Sequence, residues 1–522
     1  MGAKQEIETS GAPRRAALHD DLPLPRGPWR WLLVFGPGAI VASLTIGTGE
    51  LIFSTRGGAI FGYRILFLFA IISLLKWGLV VGSARHLVLT GVHPYQRMLD
   101  LPGPRGWFLL ALLLVAALCL PIWISFHSGV LGNLTSWVTG TRTRLGGGTD
   151  YLWGAGLLTI VLILTAAGGY RLLERVQMGI VGIMVLCAAV TLFLYHPNWL
   201  EMLRGLIVPQ PYAYPPWLFQ AYARIAEQPV WVETTRYVGV IGGAAFDYMA
   251  YTSFVRDKGW GEAAAGPAGP KRLARIANDP THPTRRWVRA PMIDSAISFA
   301  IVILFSGVFV ASGAMILGPH HLVPDENNLL NLQARFVTAI HPWLLPLYII
   351  GAFLTMLGTL YGTLEVACSI SAELALSVSR SWAIRYRRRI RLATVAWCAV
   401  GAYGILAWLF MYQATGSTGK PRLLLAILTP ANLFTGVLGC GLLCLLNLWI
   451  DRRFTPAKLR MPVLLALLNL VAGLVFLVLG AKGYWDDASR WYSIGVLIGL
   501  SVLGWIGAAW IGRVDLLRTG RM

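Results

Sequence analysis

The sequence predicts an all-α integral membrane protein of about twelve transmembrane helices, and three observations predict it. Of its 522 residues, 56% are hydrophobic and only 13% charged, against about 25% charged in a soluble globular domain. The apolar residues gather into stretches of roughly twenty, the length at which a helix crosses a bilayer. Two of those stretches are interrupted by small-residue runs that end in a carboxylate, Gly47-Thr48-Gly49-Glu50 and Gly242-Gly243-Ala244-Ala245-Phe246-Asp247.

Twelve spans can be placed, at about 31–56, 61–85, 107–129, 151–169, 176–195, 237–256, 292–317, 342–378, 392–414, 422–450, 461–481 and 491–512. The eighth exceeds one straight crossing and should end as a cytoplasmic helix. Residues 1–30 are polar and basic, show no short signal-peptide pattern, and read as a cytoplasmic tail.

A net charge of +20 suggests nucleic acid at first sight, but its distribution does not. Lys and Arg crowd the even-numbered connections and both termini, with dense runs at Lys271-Arg272, Arg285-Arg286 and Arg385 to Arg391. That asymmetry puts both termini in the cytoplasm of a multi-pass protein of the cell (plasma or inner) membrane. Anionic lipid headgroups are then its natural partners, and no nucleic acid is expected. Oligomeric state is not legible. All six cysteines fall inside apolar spans without a CxxC and read as packing residues.

Two connections are long. Residues 197–236 carry Pro209, Pro211, Pro215 and Pro216 among aromatics and suggest an external segment with a short interfacial helix. Residues 257–290 form a cytoplasmic loop that reads as a flexible gate or tether. No phosphate loop, zinc spacing or nucleophile elbow appears, so an enzyme is not expected.

The broken spans, first and sixth, set the organisation. Residues 31–236 form a first five-helix repeat with its external loop, and 237–450 a second one. An odd span number gives the halves opposite orientation, and residues 451–522 add two peripheral helices and a short tail. Paired breaks in corresponding helices of inverted repeats point to a midplane transport site.

Charges inside the spans define the candidate site. A carboxylate at mid-bilayer costs about 2.5–3.5 kcal/mol on insertion scales. Unwinding beside Glu50 would free carbonyls of residues such as Thr45, Gly47 and Thr48; beside Asp247, that of Ala244. Carboxylates with free carbonyls make an all-oxygen nest for a hard or borderline cation. Alternatively Glu50 pairs with Lys76 in the second span, and Asp247 caps the second half-helix. Lys76 itself is a structural counter-ion or a charge coupled to transport. Helix 8 carries Thr355, Thr359, Thr363 and Glu365; the threonines recur every four residues and share one face, where they either bond back to their own helix or help hold a cation. In the tenth span, Pro430 breaks the ladder and Asn432 offers an amide.

At these residues the chain resembles the Nramp family of divalent-metal transporters, which have a LeuT-type fold. The resemblance rests on Gly36-Pro37-Gly38, Gly57-Gly58-Ala59 leading to Gly62-Tyr63, Ala84-Arg85, Leu89-Thr90-Gly91 and the run from Gly169 to Val176. It implies a 5+5 inverted repeat with discontinuous helices 1 and 6, and a divalent cation as substrate moved by alternating access. The family's Asp-Pro-Gly-Asn motif stands here as Gly47-Thr48-Gly49-Glu50, and its Met-Pro-His run as Phe246-Asp247-Tyr248. The third span holds His127 but none of the acids the family uses for its proton route. With thioether and imidazole gone from the aligned positions, harder ions such as Mg²⁺ or Mn²⁺ are favoured; Met249 reaches the site only if helix 6 unwinds differently. A proton or Na⁺ is the expected coupling ion, and no cofactor is implied. The alternative is a cation-coupled carrier of a small organic or amine substrate on the same fold.

Overall fold

The computed structural model describes residues 27–32, 34–47, 50–324, 343–414, 424–486 and 490–519. Thr48, one of the expected ligands, lies outside them, as does Gly49. Among the described residues every regular element is helical.

The spans are labelled α1 to α12. The first is broken into α1a (Pro37–Thr45) and α1b (Thr55–Phe61), joined through a wide π-helical turn at Glu50–Ser54. Then follow α2 (Ile65–Thr90), α3 (Trp107–Val138), α4 (Thr149–Ala167) and α5 (Tyr170–Tyr195). The sixth is again broken, into α6a (Val230–Val240) and α6b (Ala245–Lys258). After it come α7 (Arg289–Ser312), α8 (Leu344–Val378), α9 (Arg387–Ala414) and α10, the last running from Leu424–Asn432 into Gly439–Phe454. Outside the two repeats lie α11 (Val463–Asp486) and α12 (Arg490–Thr519). This is the LeuT-type 5+5 arrangement with helices 1 and 6 discontinuous and two helices added.

Burial follows that order. The most apolar window of α10 is 67% buried, while that of α12 is only 11% buried and turns its apolar residues outward, as a helix facing lipid does. In the middle of α10, Pro430 has no N–H to give, and the ladder shifts to a wide π-helical turn at Leu433–Leu438.

The break in α6 has a backbone cause. Gly242 and Gly243 hold φ of +81° and +91°, a region closed to most side chains. A Cβ on Gly243 would also lie 2.4 Å from Thr45 Cγ2, so glycine is what lets the two breaks touch. At the other break, Gly47 N–H turns back onto the Thr45 carbonyl at 2.8 Å, ending α1a.

Two expectations need correction. Helix 6 begins at Val230 rather than about 237, because its first two turns are polar: Glu233 is fully buried against Arg56 of α1b, a pairing that hydropathy does not register. Residues 257–290 are an ordered cap rather than a tether. They carry helices Glu262–Ala265, Pro270–Asn278 and Pro283–Trp287, and Ile276 packs with Leu89 and Leu459. Buried Glu262 accepts from Arg272 at 2.6 Å and from the Thr284 hydroxyl at 2.9 Å. Gly36-Pro37-Gly38 opens α1a, with Pro37 as its first residue. Within residues 197–229 the short amphipathic helix is present as Trp199–Ile207, with Trp199 and Leu200 exposed.

Candidate functional site

The two breaks meet in the centre of the helix bundle. A cavity of about 60 Å³ lies there, lined by Thr45 and Gly47 of the first break, Gly243, Ala244 and Asp247 of the second, and Thr359, Thr363, Thr435 and His127 of the surrounding spans. At about 10–15 Å³ per water, that is room for a few waters or an ion with part of its hydration shell.

The charged residues stand at the ends of the half-helices, where the backbone dipoles call for them. Glu50 begins the turn that leads into α1b and is fully buried. It accepts the Gly242 N–H at 3.0 Å and the Gly47 N–H at 3.4 Å, fastening the two breaks together. Asp247 sits in the first turn of α6b. One carboxylate oxygen accepts the Ala244 N–H at 2.7 Å, and the side chain borders the cavity. Glu50 is not among the residues lining it.

Lys76 is also fully buried, but no salt bridge joins it to Glu50. Its ammonium donates to the carbonyls of Ile241 and Gly243, each at 2.7 Å, at the C-terminal end of α6a. Both Glu50 and Asp247 act on it electrostatically. The Tyr248 hydroxyl donates to the Gly242 carbonyl. Three carbonyls freed by the second break are thus taken by side chains. At the first break the Thr45 and Gly47 carbonyls accept the N–H groups of Gly47 and Leu51 at 2.8 and 3.1 Å; each keeps a second lone pair, and both residues border the cavity.

The threonines bond back along their helices: Thr359 to the Thr355 carbonyl at 3.0 Å, Thr363 to Thr359 at 2.8 Å, Thr435 to Ala431 at 2.8 Å and Thr45 to Ala42 at 3.3 Å. This does not remove them from the site. A hydroxyl that gives its hydrogen to the backbone keeps oxygen lone pairs, and these four residues border the cavity. Gly47 meets Thr359 so closely that a Cβ would fall 2.2 Å from its Oγ1.

Other expected residues lie elsewhere. Met249 is fully buried outside the cavity. Thr355 lines a separate, largely apolar cavity between α5, α7 and α8. Glu365 is held by Arg391 of α9 at 2.6 and 3.1 Å, a tie between α8 and α9 rather than a group at the centre. Asn432 does not line the cavity, although its amide packs against Gly239, which does. His127 borders it, stacked on Trp123 with ring centroids 5.5 Å apart.

Sequence reasoning missed the residues that hold the half-helices in place. Asp294 of α7 accepts the N–H groups of Gly36 and Gly38 at 2.8 and 2.7 Å and the Tyr251 hydroxyl at 2.9 Å. It supplies the N-cap that Gly36 cannot, and binds α1a to α6b. Lys258 meets Glu174 at 2.6 Å, and Arg256 meets buried Glu373 at 2.6 Å, tying the far end of α6b to α5 and α8. At the opposite side Glu233 takes Arg56 at 2.5 and 3.1 Å, with Arg236 and Tyr237 on the same carboxylate. The sole signal in the sequence was a carboxylate in an apolar setting, and these stood near expected span ends, where acids are ordinary.

A model of the natural resistance-associated macrophage protein-like family matches residues 38–483. The chain belongs to that family. Among the Nramp-like relatives, it is 22% identical over 387 residues to the divalent metal cation transporter MntH of Listeria innocua, covering 72% of this chain and 77% of the relative. It is 26% identical over 318 residues to the MntH of Ralstonia nicotianae, covering 59% and 61%. A crystal structure of a single-residue mutant of the Eremococcus coleocola manganese transporter superposes with a TM-score of 0.66 at 16% identity, covering 95% of this chain and 97% of that one. At that identity the likeness speaks for the fold.

Proposed function

We propose that this Nramp-like protein is a secondary transporter that moves a divalent metal cation across the cell membrane by alternating access. The observation that carries the reading is the cavity between the two breaks, where the Asp247 carboxylate and threonine hydroxyls share the wall with apolar Leu44, Leu120, Trp123, Val240 and Phe246. The names of the relatives, divalent metal cation transporters and a manganese transporter, support the substrate class.

The metal would sit between Asp247, the end of α1a at Thr45 and Gly47, and the hydroxyls of Thr359 and Thr435. The negative end of α1a's dipole points into this space. Among the described residues no three His, Cys, Asp or Glu side chains cluster to hold a metal. One carboxylate and neutral oxygens suit an ion that keeps several waters, which is the habit of Mg²⁺. Among the described residues no sulfur lines the cavity and His127 is the one imidazole there, so soft metals gain no thiolate or thioether and Mg²⁺ or Mn²⁺ is favoured over Cd²⁺. Lys76 and Glu50 act here as positioning residues, bracing the second break against the first.

Alternating access is supported by the ties on either side. Arg56 and Glu233 bind α1b to α6a, while Asp294, Lys258 and Arg256 bind α1a and α6b to their neighbours. Each half-helix pair can then move as a body about its break. Both termini are placed in the cytoplasm by the charge asymmetry. A carrier of organic substrates gains no support from a cavity of about 60 Å³.

The test is uptake into liposomes containing the purified protein. Mn²⁺ and Mg²⁺ should enter, driven by an imposed H⁺ or Na⁺ gradient, and Asp247→Ala should abolish entry while the protein still reconstitutes. Uptake unchanged in that variant would remove Asp247 from the site.

A further inference from the structure

A third cavity, of about 500 Å³, is larger than the central one and has no part in the transport reading. It is a groove between α2, α7 and α11. Its walls are apolar, with Trp77, Leu464 and Leu468 among them, and its mouth carries Arg85, Arg285 and Lys458. Leu464 is 79% exposed, so the groove opens sideways to the bilayer rather than to a partner within the fold.

The charges at the mouth do not balance. Arg85 has Asp451 at 3.7 Å, and that carboxylate is shared with the Met461 N–H. Arg285 lies near enough to Arg85 to repel it. Neither Arg285 nor Lys458 has a carboxylate within 4 Å among the described residues; Lys458 donates only to the Asn278 amide oxygen at 3.0 Å. Asp279 also lies near enough to Arg285 to feel its charge, so three cations drawn from three separate segments face two carboxylates. Like charges gathered in this way cost free energy unless an anion joins them.

Length also fits a particular ligand. From Leu74 to Leu89, both on the groove wall, α2 rises roughly 22 Å at 1.5 Å per residue. One leaflet is about 15 Å of hydrocarbon plus some 5–7 Å of headgroup. The cationic end coincides with the basic connections assigned to the cytoplasmic side, where anionic lipids are held.

We propose that this groove is a binding site for one anionic phospholipid of the cytoplasmic leaflet. Its phosphate is held by Arg85, Arg285 and Lys458, and an acyl chain lies along Trp77, Leu464 and Leu468. Because the groove joins α2 and α7 of the repeats to peripheral α11, the lipid also fills the seam between them.

The full chain, purified in detergent, tests this by thermal unfolding and native mass spectrometry with added phosphatidylglycerol or phosphatidylcholine of equal chain length. Phosphatidylglycerol should raise the melting temperature by several degrees and be retained as one molecule per chain, while phosphatidylcholine does neither. The double variant Arg285→Ala/Lys458→Ala should lose roughly tenfold or more in phosphatidylglycerol affinity, as each basic side chain at a headgroup strengthens binding, with lipid-free melting not lowered. Should the double variant fold poorly, Lys458→Gln, on an exposed connection, should still weaken retention. The proposal is overturned if both lipids act alike, if the variants keep full retention, or if glycerol phosphate alone reproduces the stabilisation.

Discussion

Asp247 divides its carboxylate between two tasks. One oxygen caps the start of α6b at the Ala244 N–H, while the side chain borders the cavity. Removing it should therefore cost both a cap, about 1 kcal/mol, and the metal. Asp247→Asn keeps an oxygen for the cap and should bind metal far more weakly at near-normal melting temperature; equal loss of both would make the residue purely structural. Lys76 is the reverse case. Its ammonium fills the carbonyls of Ile241 and Gly243, and hydrogen bonds to a charged group are each worth about 1.5–3 kcal/mol. Lys76→Met should thus lower thermal stability by about 3 kcal/mol or more, read by unfolding in detergent; an unchanged midpoint would show that the carbonyls find other donors. That these residues matter was legible, because a charge in apolar text is conspicuous. What they touch was not: Lys76 meets a carbonyl 165 residues away in sequence, and neither spacing nor composition records that.

The half-helices are held by side chains from other spans. Asp294 caps α1a from α7 through Gly36 and Gly38, so Asp294→Ala should loosen α1a by about 1–2 kcal/mol. A cysteine placed in α1a for labelling should then react faster with a soluble thiol reagent than in the parent; equal rates would mean α1a is held without its cap. The breaks themselves were readable from Gly47-Thr48-Gly49-Glu50 and from Gly242-Gly243, since glycine permits the positive φ observed at the latter pair. The start of α6 was misplaced because its first turns are polar and buried by Arg56. The order in residues 257–290 was likewise hidden, since Glu262 and Ile276 are buried by partners that local sequence does not name.

At the scale of the whole molecule, twelve spans in two inverted fives with two additions follow from span count, the matched breaks and the alternation of basic connections. These signals are cumulative over the chain and survive error at any one boundary. Cysteines introduced singly into residues 257–290 and into residues 197–229 should label from opposite sides of a sealed vesicle. Labelling from one side would contradict the inverted arrangement. The ion's identity is the least legible property, because it depends on which oxygens the fold leaves unoccupied. Here the second break's carbonyls are filled by side chains, while those of Thr45 and Gly47 each accept one backbone N–H and keep a second lone pair beside the cavity.

The most direct measurement is calorimetric titration of the purified protein with Mn²⁺, Mg²⁺ and Cd²⁺, repeated with Asp247→Ala. The account predicts one site for Mn²⁺ and Mg²⁺, no preference for Cd²⁺, and loss of binding in the variant. Tighter binding of Cd²⁺ than Mn²⁺, or Mn²⁺ binding that survives Asp247→Ala, would contradict a site built from Asp247 and neutral oxygens.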